Sequence, residues 1–273
     1  VLAAVHIKLK DREEIKYYQG TDNLEAFLKL LQARWYLLKF TKAENILGRE
    51  LAQQAIELDP GYAQAYQSLA GGLMLSVWFG LSQSPKETLM QAIKMAEKAV
   101  EIDESFENAH GLLAFLYTLV RKHDLGIKKG ERAVSLNPNC ADCYGFLGIA
   151  LRYSDRPQQA IANLNIAMRL NPFPKTWYYH HLGGALSESN QYEEAIKVFK
   201  EGISRYPDDQ FQRYMLAWSY IYAGREEDAR IQAAEVLRIN PKFSVEQWAK
   251  TYPHINRSLT ERHMEAMRKA GLK

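Results

Sequence analysis

Cys140 and Cys143 are the only cysteines of the chain and form a Cys-x-x-Cys. That spacing serves zinc when a second pair completes a tetrahedral sulfur set, or thiol exchange when it lies in a thioredoxin-like βαβ setting. Neither accompanies it here. Two cysteines also make no disulfide framework, and a bond between them across one helical turn is geometrically awkward. His180 and His181 follow the aromatic run Trp177-Tyr178-Tyr179. Adjacent histidines point to different faces of a helix, so they read as one groove residue and one packing residue rather than as two ligands of one metal. The other histidines, His6, His110, His123, His254 and His263, are scattered. No Ser-His-Asp grouping, phosphate-cradling glycine loop or paired-carboxylate motif stands out. Gly71-Gly72 and Gly183-Gly184 read as close helix contacts. Enzymatic activity, a metal site and a cofactor are therefore not expected of these residues.

The elements that position such side chains announce themselves by a repeat. Asn137-Pro138, Asn171-Pro172 and Asn240-Pro241 match one another, with Asp59-Pro60 and Tyr206-Pro207 as variants, and from Pro138 onward the prolines are separated by 34, 35 and 34 residues. In a 34-residue frame, positions 4, 7, 8, 11, 20, 24 and 27 of one unit hold Tyr144, Leu147, Gly148, Leu151, Ala160, Leu164 and Ala167. The next unit places Tyr179, Leu182, Gly183, Leu186, Ala195, Phe199 and Gly202 at the same positions. Large residues at 4, 7 and 11 share one face of a first helix. Small residues at 8 and 20 let the two helices of a hairpin approach closely. The proline cannot continue a helix and disfavours helix at the residue before it.

A period near 34 belongs to the tetratricopeptide class of helical repeats. The expected fold is all-α: a right-handed superhelical solenoid of antiparallel helix pairs, about six repeats plus C-terminal capping helices. Four units, closing at Pro138, Pro172, Pro207 and Pro241, are in register. Two upstream are irregular: helices over 23–40 and 42–58, then 62–77 and 85–100, the latter pair joined by the long connection Trp78 to Ser84. Ser84 is expected to cap the helix opened by Pro85. After Pro241, helices over 243–250 and 259–270 are expected, the last opened by a capping box, Ser258-x-x-Glu261, and closed by Gly271. The organisation is thus 1–20, the tail of a preceding domain and a linker; 21–241, the repeat array; and 242–273, the capping helices. A start at Val1 without Met is expected of a piece of a longer protein.

In arrays of this class the first helix of each unit lines a concave groove, mainly through positions 2, 5, 9 and 12. Here these give Asn108, Phe115, Asp142, Ile149, Arg152, Trp177, His180, Phe211, Tyr214 and Trp218 as candidate binding residues. The surface is aromatic with little charge, which suits an extended peptide or a helix with apolar anchors. The Lys, Asn and Arg set with which chaperone-binding members hold a terminal carboxylate is lacking. Net charge is +3 from 35 basic and 32 acidic residues, so no strong field steers nucleic acid.

Several strings are more specific than the repeat. Gly20-Thr21-Asp22-Asn23-Leu24-Glu25-Ala26, Asn171-Pro172-Phe173-Pro174 with Trp177-Tyr178, Gly224-Arg225-Glu226-Glu227-Asp228-Ala229 and the ending from Ile239 to Lys273 resemble the C-terminal repeat region of bacterial class III adenylate/guanylate cyclase-type proteins. The resemblance implies a cyclase domain, a membrane helix and a small α/β domain upstream, with Val1 to Glu14 at the end of that α/β domain. It implies a periplasmic location; without that layout the location is cytoplasmic. No cyclase residue is carried by this chain. The expected function is a non-catalytic protein- or peptide-binding scaffold, the sensory or regulatory region of a larger signalling protein. The alternative is a structural spacer or self-association module, with Trp78 to Ser84 as a dimer contact.

Overall fold

Most repeats close where a helix must stop before a proline; one closes at Asp103, which Glu104 follows. Except at Tyr206, the last carbonyls run out at an Asn or Asp whose side chain then accepts the N–H two residues on. Asp59 takes Gly61 N–H, Asp103 takes Ser105, Asn137 takes Asn139, Asn171 takes Phe173 and Asn240 takes Lys242, all at 2.9–3.2 Å. This is the Asx turn that makes Asn and Asp the natural residues before proline at a helix end.

The computed structural model describes residues 20–39 and 41–273, and the readings placed on residues 1–19, His6 included, lie outside them. Among the described residues there are fourteen helices and no strand. They are α1 (Leu24–Leu37), α2 (Lys42–Leu58), α3 (Ala63–Trp78), α4 (Pro85–Ile102), α5 (Glu107–Leu119), α6 (His123–Leu136) and α7 (Ala141–Tyr153). There follow α8 (Pro157–Leu170), α9 (Thr176–Glu188), α10 (Tyr192–Arg205), α11 (Gln210–Tyr222), α12 (Glu226–Ile239), α13 (Val245–Thr251) and α14 (Arg257–Lys269). The chain divides into two compact units, Val1–Leu116 and Tyr117–Lys273.

In the first unit α1 and α2 pack as a hairpin and α3 closes on both. Ala26, Leu30 and Ala33 meet Ala52, Ala55 and Ile56, with Tyr62, Ala65 and Leu69 completing the core. Alanines on the facing stripes let the axes come close, as ridge-and-groove packing requires. α1 ends at Leu37 rather than running to 40. Ser84 sits at the start of α4 but makes no side-chain capping bond; Pro85 at the first turn needs none for its own missing N–H.

In the second unit α7–α8, α9–α10 and α11–α12 are the helix pairs. A Cβ added at Gly148 would lie 2.6 Å from Leu164 Cγ, and one at Gly183 2.6 Å from the Phe199 ring. Position 8 is small because position 24 of the same unit lies on it. Gly71, in the first unit, is different: a Cβ there meets nothing within 4 Å, so its reading as a close contact is corrected.

The turn inside each pair repeats one conformation. Arg121, Asp155 and Asn190 have φ near 61° and Gly224 has φ 75°, all at frame position 15. The following N–H reaches back five residues: Lys122 to Tyr117, Arg156 to Leu151, Gln191 to Leu186 and Arg225 to Tyr220, at 2.8–3.0 Å. This is the Schellman closure, whose left-handed residue favours Gly or Asn. Arginine at such a place carries backbone strain.

The C-terminal helices differ from expectation at their starts. Ser244 caps α13, and α14 begins at Arg257, capped by Asn256, whose Oδ1 accepts Leu259 N–H at 3.1 Å. The Ser258–Glu261 capping box is therefore not formed. Asn256 is already held outside the helix, its Nδ2 on Asp155 Oδ2 at 3.1 Å, which fixes the earlier start. Gly271, with φ 105°, closes α14 as expected. Among the described residues no helix is long and apolar enough to cross a membrane.

Candidate functional site

The candidate groove residues separate into three groups. Asn108 and Phe115 belong to the first unit, where Phe115 is buried with the edge of Trp78 5.6 Å from its ring. The other candidates lie in the second unit.

One group there is half-buried and polar-aromatic. Trp177 stacks on Phe146 with centroids 5.1 Å apart and planes within 9°, lying across Gly145, where a Cβ would sit 2.5 Å from the indole. Asp142 accepts Tyr178 Oη at 2.6 Å and Lys175 Nζ at 2.5 Å. His180 Nε2 meets Asp209 Oδ2 at 2.5 Å, and Thr176 Oγ1 donates to the same carboxylate. Burial alone would raise the Asp209 carboxyl, but the His180 imidazole and the hydroxyl beside it hold it well below the usual range. Phe211 lies 5.5 Å from the His180 ring. His180 and His181 point to different faces, and both are buried.

The last group is covered by the chain itself. Tyr214 and Trp218 are buried under α13 and α14. Trp218 is stacked on His263 at 4.1 Å and lies 5.7 Å from Trp248, and Tyr214 contacts Phe243 and Trp248. Arg152, one turn beyond the buried Ile149, is fully enclosed. Its Nε donates to both oxygens of Glu188 at 3.0 Å and its Nη2 to Oε1 at 2.6 Å. Nη2 also reaches Tyr252 Oη at 2.9 Å, and Nη1 meets His181 Nδ1 at 3.2 Å. Tyr252 in turn donates to Glu188 at 2.9 Å. His254 and His263 direct Nε2 at Glu188 from 4.0 and 3.6 Å. Burial would raise Glu188; the Arg152 guanidinium overrides it and keeps the carboxylate ionised far below its usual range. Burial lowers His181, His254 and His263, disfavouring their charged forms. Among the described residues no group of His, Cys, Asp and Glu is arranged to hold a metal ion.

Position 12 was foreseen as a groove position, but position 13, which supplies Tyr153, Glu188 and Tyr222, was missed. So were Arg121 and the covering residues Tyr252, His254 and His263. The available signal was charge: a buried arginine demands a carboxylate, and Glu188 lies one repeat further on. Cys140 and Cys143 are joined in a disulfide, their Cα atoms 5.3 Å apart. The expected awkwardness is avoided because Cys140 is the extended N-cap of α7 rather than part of its first turn.

The fold is the all-helical array of antiparallel pairs that the repeat demands. Residues 178–209 match the family model described as tetratricopeptide repeat. Among curated relatives, the putative adenylate cyclase 3 of Rhizobium meliloti (strain 1021) is 31% identical over 128 residues, 45% of this chain and 21% of that protein. It supports the likeness to cyclase-associated repeat regions. The chain spans 21% and 32% of the length of the first curated relatives it matches. Of solved structures, the APC/C hetero-tetramer Cut9-Hcn1 aligns with a TM-score of 0.69 over 95% of this chain and 45% of that one at 16% identity. Pseudomonas aeruginosa pilF aligns with a TM-score of 0.56 over 80% and 93% at 14% identity. These likenesses are likenesses of fold.

Proposed function

We propose that the chain is a non-catalytic protein-interaction module, the regulatory region of a larger cyclase-type signalling protein, and that its second unit takes a peptide or helix on the Asp142–Trp177–His180–Phe211 surface. The observation that carries this reading is the half-buried Trp177–Phe146 stack beside two charged pairs, Lys175–Asp142 and His180–Asp209. Flat aromatic area with polar groups at its edge is the composition of interaction hot spots. In this reading residues 21–241 are the working array and 242–273 its cover. The test is capture of partners from the native cell by the wild-type chain and by Trp177→Ala and Phe211→Ala, with folding checked by circular dichroism. Unaltered capture by both variants sinks the surface assignment.

A second reading, self-association, is favoured by one feature of the first unit. Leu31 and Trp35 on α1, with Leu38 just past its end, are 40%, 55% and 76% exposed. Sedimentation over a concentration range decides it: a strict monomer, or a dimer insensitive to Trp35→Asp, removes the reading.

A further inference from the structure

Between α13 and α14 the chain runs extended through Tyr252-Pro253-His254-Ile255-Asn256, and it is held there mostly by its backbone. Arg121 Nη2 donates to Tyr252 O at 2.8 Å and Nη1 to His254 O at 3.1 Å. Ile255 N–H donates to Tyr153 O at 2.9 Å. Tyr252 puts its ring against Tyr153, 5.3 Å between centroids, and its hydroxyl between Arg152 and Glu188. These are the contacts by which a protein reads a peptide: main-chain bonds for grip, one pocket for a side chain.

We propose that this face of the second unit is a binding site for an extended segment bearing a hydroxylated aromatic residue, kept occupied by residues 252–256 until a partner segment of the same chemistry replaces them. The proposal rests on the interaction role argued above and names the chemistry that a second site on the same unit accepts.

Three features separate a replaceable occupant from a permanent cover. A cover for the last apolar face needs only apolar contact, and α13 supplies it through Trp248, 5.7 Å from Trp218, while α14 adds the buried Met267. Residues 252–254 instead lie over a buried ion pair, which is weak as a source of stability and strong as a device of specificity. Second, the fit is incomplete: the buried Nε2 of His254 stops 4.0 Å from Glu188 and makes no hydrogen bond. A segment that leaves polar atoms unpaired is displaced more readily than one that satisfies them. Third, Arg121 occupies the left-handed turn position where Asp155, Asn190 and Gly224 stand in the next three units. Backbone strain of this kind collects at binding sites, and here the strained residue is the one whose guanidinium holds both carbonyls.

The test uses the full chain and a labelled peptide of residues 248–256. Tyr252→Ala weakens the internal occupant and frees the site, so the peptide binds this variant about tenfold or more tighter than wild type, as removal of a competing closed state requires. Adding Arg121→Ala abolishes the gain, and so does a peptide with Phe in place of its Tyr. Equal binding by wild type and Tyr252→Ala overturns the proposal. Hydrogen exchange on the unmodified protein gives an independent readout: the Ile255 amide exchanges about 100-fold or more faster than the buried amides of α9, by local opening. Exchange as slow as that of α9 marks a permanent part of the unit and overturns it equally. Peptide binding without capture of any partner at Trp177 leaves the site standing and removes the wider function; capture without peptide binding does the reverse.

Discussion

Arg152 of α7 and Glu188 of α9 meet across one repeat with side chains 0% and 1% exposed, and the guanidinium engages the carboxylate through both Nε and Nη2. Two positions of neighbouring units, 12 and 13, thereby make an ionic bond in the interior of an otherwise aromatic face. Taking both charges out of water costs several kcal/mol each, which their own three hydrogen bonds offset, with Tyr252 and His181 adding partners for the guanidinium.

Arg152→Ala leaves Glu188 buried and unpaired. The second unit is expected to lose about 3–5 kcal/mol, the usual cost of removing one partner of a buried pair. Arg152→Met with Glu188→Leu removes both charges and recovers most of that loss. Urea unfolding followed by the fluorescence of Trp218 and Trp248 checks both. A single variant as stable as wild type contradicts the described burial.

The repeat, the small residues at positions 8 and 20 and the terminal Gly271 were legible because each follows from short-range geometry. Asn137 before Pro138 and Gly148 against Leu164 need only one unit to be understood. Arg152 read as a groove donor is another matter, since its partners lie 36 and 100 residues away. Nothing in a 34-residue period says that the chain returns to lay Tyr252 on α7, and the same return hides Tyr214 and Trp218. The Ser258 box failed for the same reason: Asp155, far off in sequence, had engaged Asn256.

Acid acts on this cluster in two stages. His181, His254 and His263 titrate below their ordinary 6.5 because burial disfavours the charged form. The unfolded chain then binds more protons than the folded one below about pH 6.5, and stability falls there by up to about 1.4 kcal/mol per pH unit for each imidazole. Glu188 and Asp209 are depressed carboxylates, so their contribution is present above the unfolded value near 4.5 or 3.8 and is lost as pH falls further. His263→Gln is expected to flatten the slope between pH 6.5 and 5 while leaving the lower stage in place. Thermal melts across pH 3–8 read both stages, and an unchanged upper slope in the variant refutes the assignment to His263.

Two glycines that look alike in sequence are expected to behave oppositely. Gly183→Ala drives a Cβ to 2.6 Å from Phe199, itself fully buried, and overpacking of this kind costs about 1–3 kcal/mol. Gly71→Ala meets nothing within 4 Å on α3 and gains up to about 1 kcal/mol of helix propensity. Denaturant midpoints of the two variants should lie on either side of wild type. Movement in the same direction would show that helix propensity, not contact, governs both sites.

Arg121 does two separable things: its backbone adopts φ 61° and its side chain holds Tyr252 and His254. Arg121→Ala and Arg121→Gly both remove the guanidinium, so residues 252–256 should open equally in either, seen as faster exchange of the Ile255 amide. Only glycine relieves the backbone, because a Cβ in the left-handed region costs about 1–2 kcal/mol. The glycine variant should therefore be the more stable of the two by about 1 kcal/mol. Asn190→Gly and Asn190→Ala, at the same turn one unit beyond Asp155, supply the control in which the backbone effect recurs and the Ile255 amide does not respond. Equal stability of the two Arg121 variants would mean that the turn relaxes when the side chain lets go, and that the strain is imposed by the grip on Tyr252 rather than by the repeat.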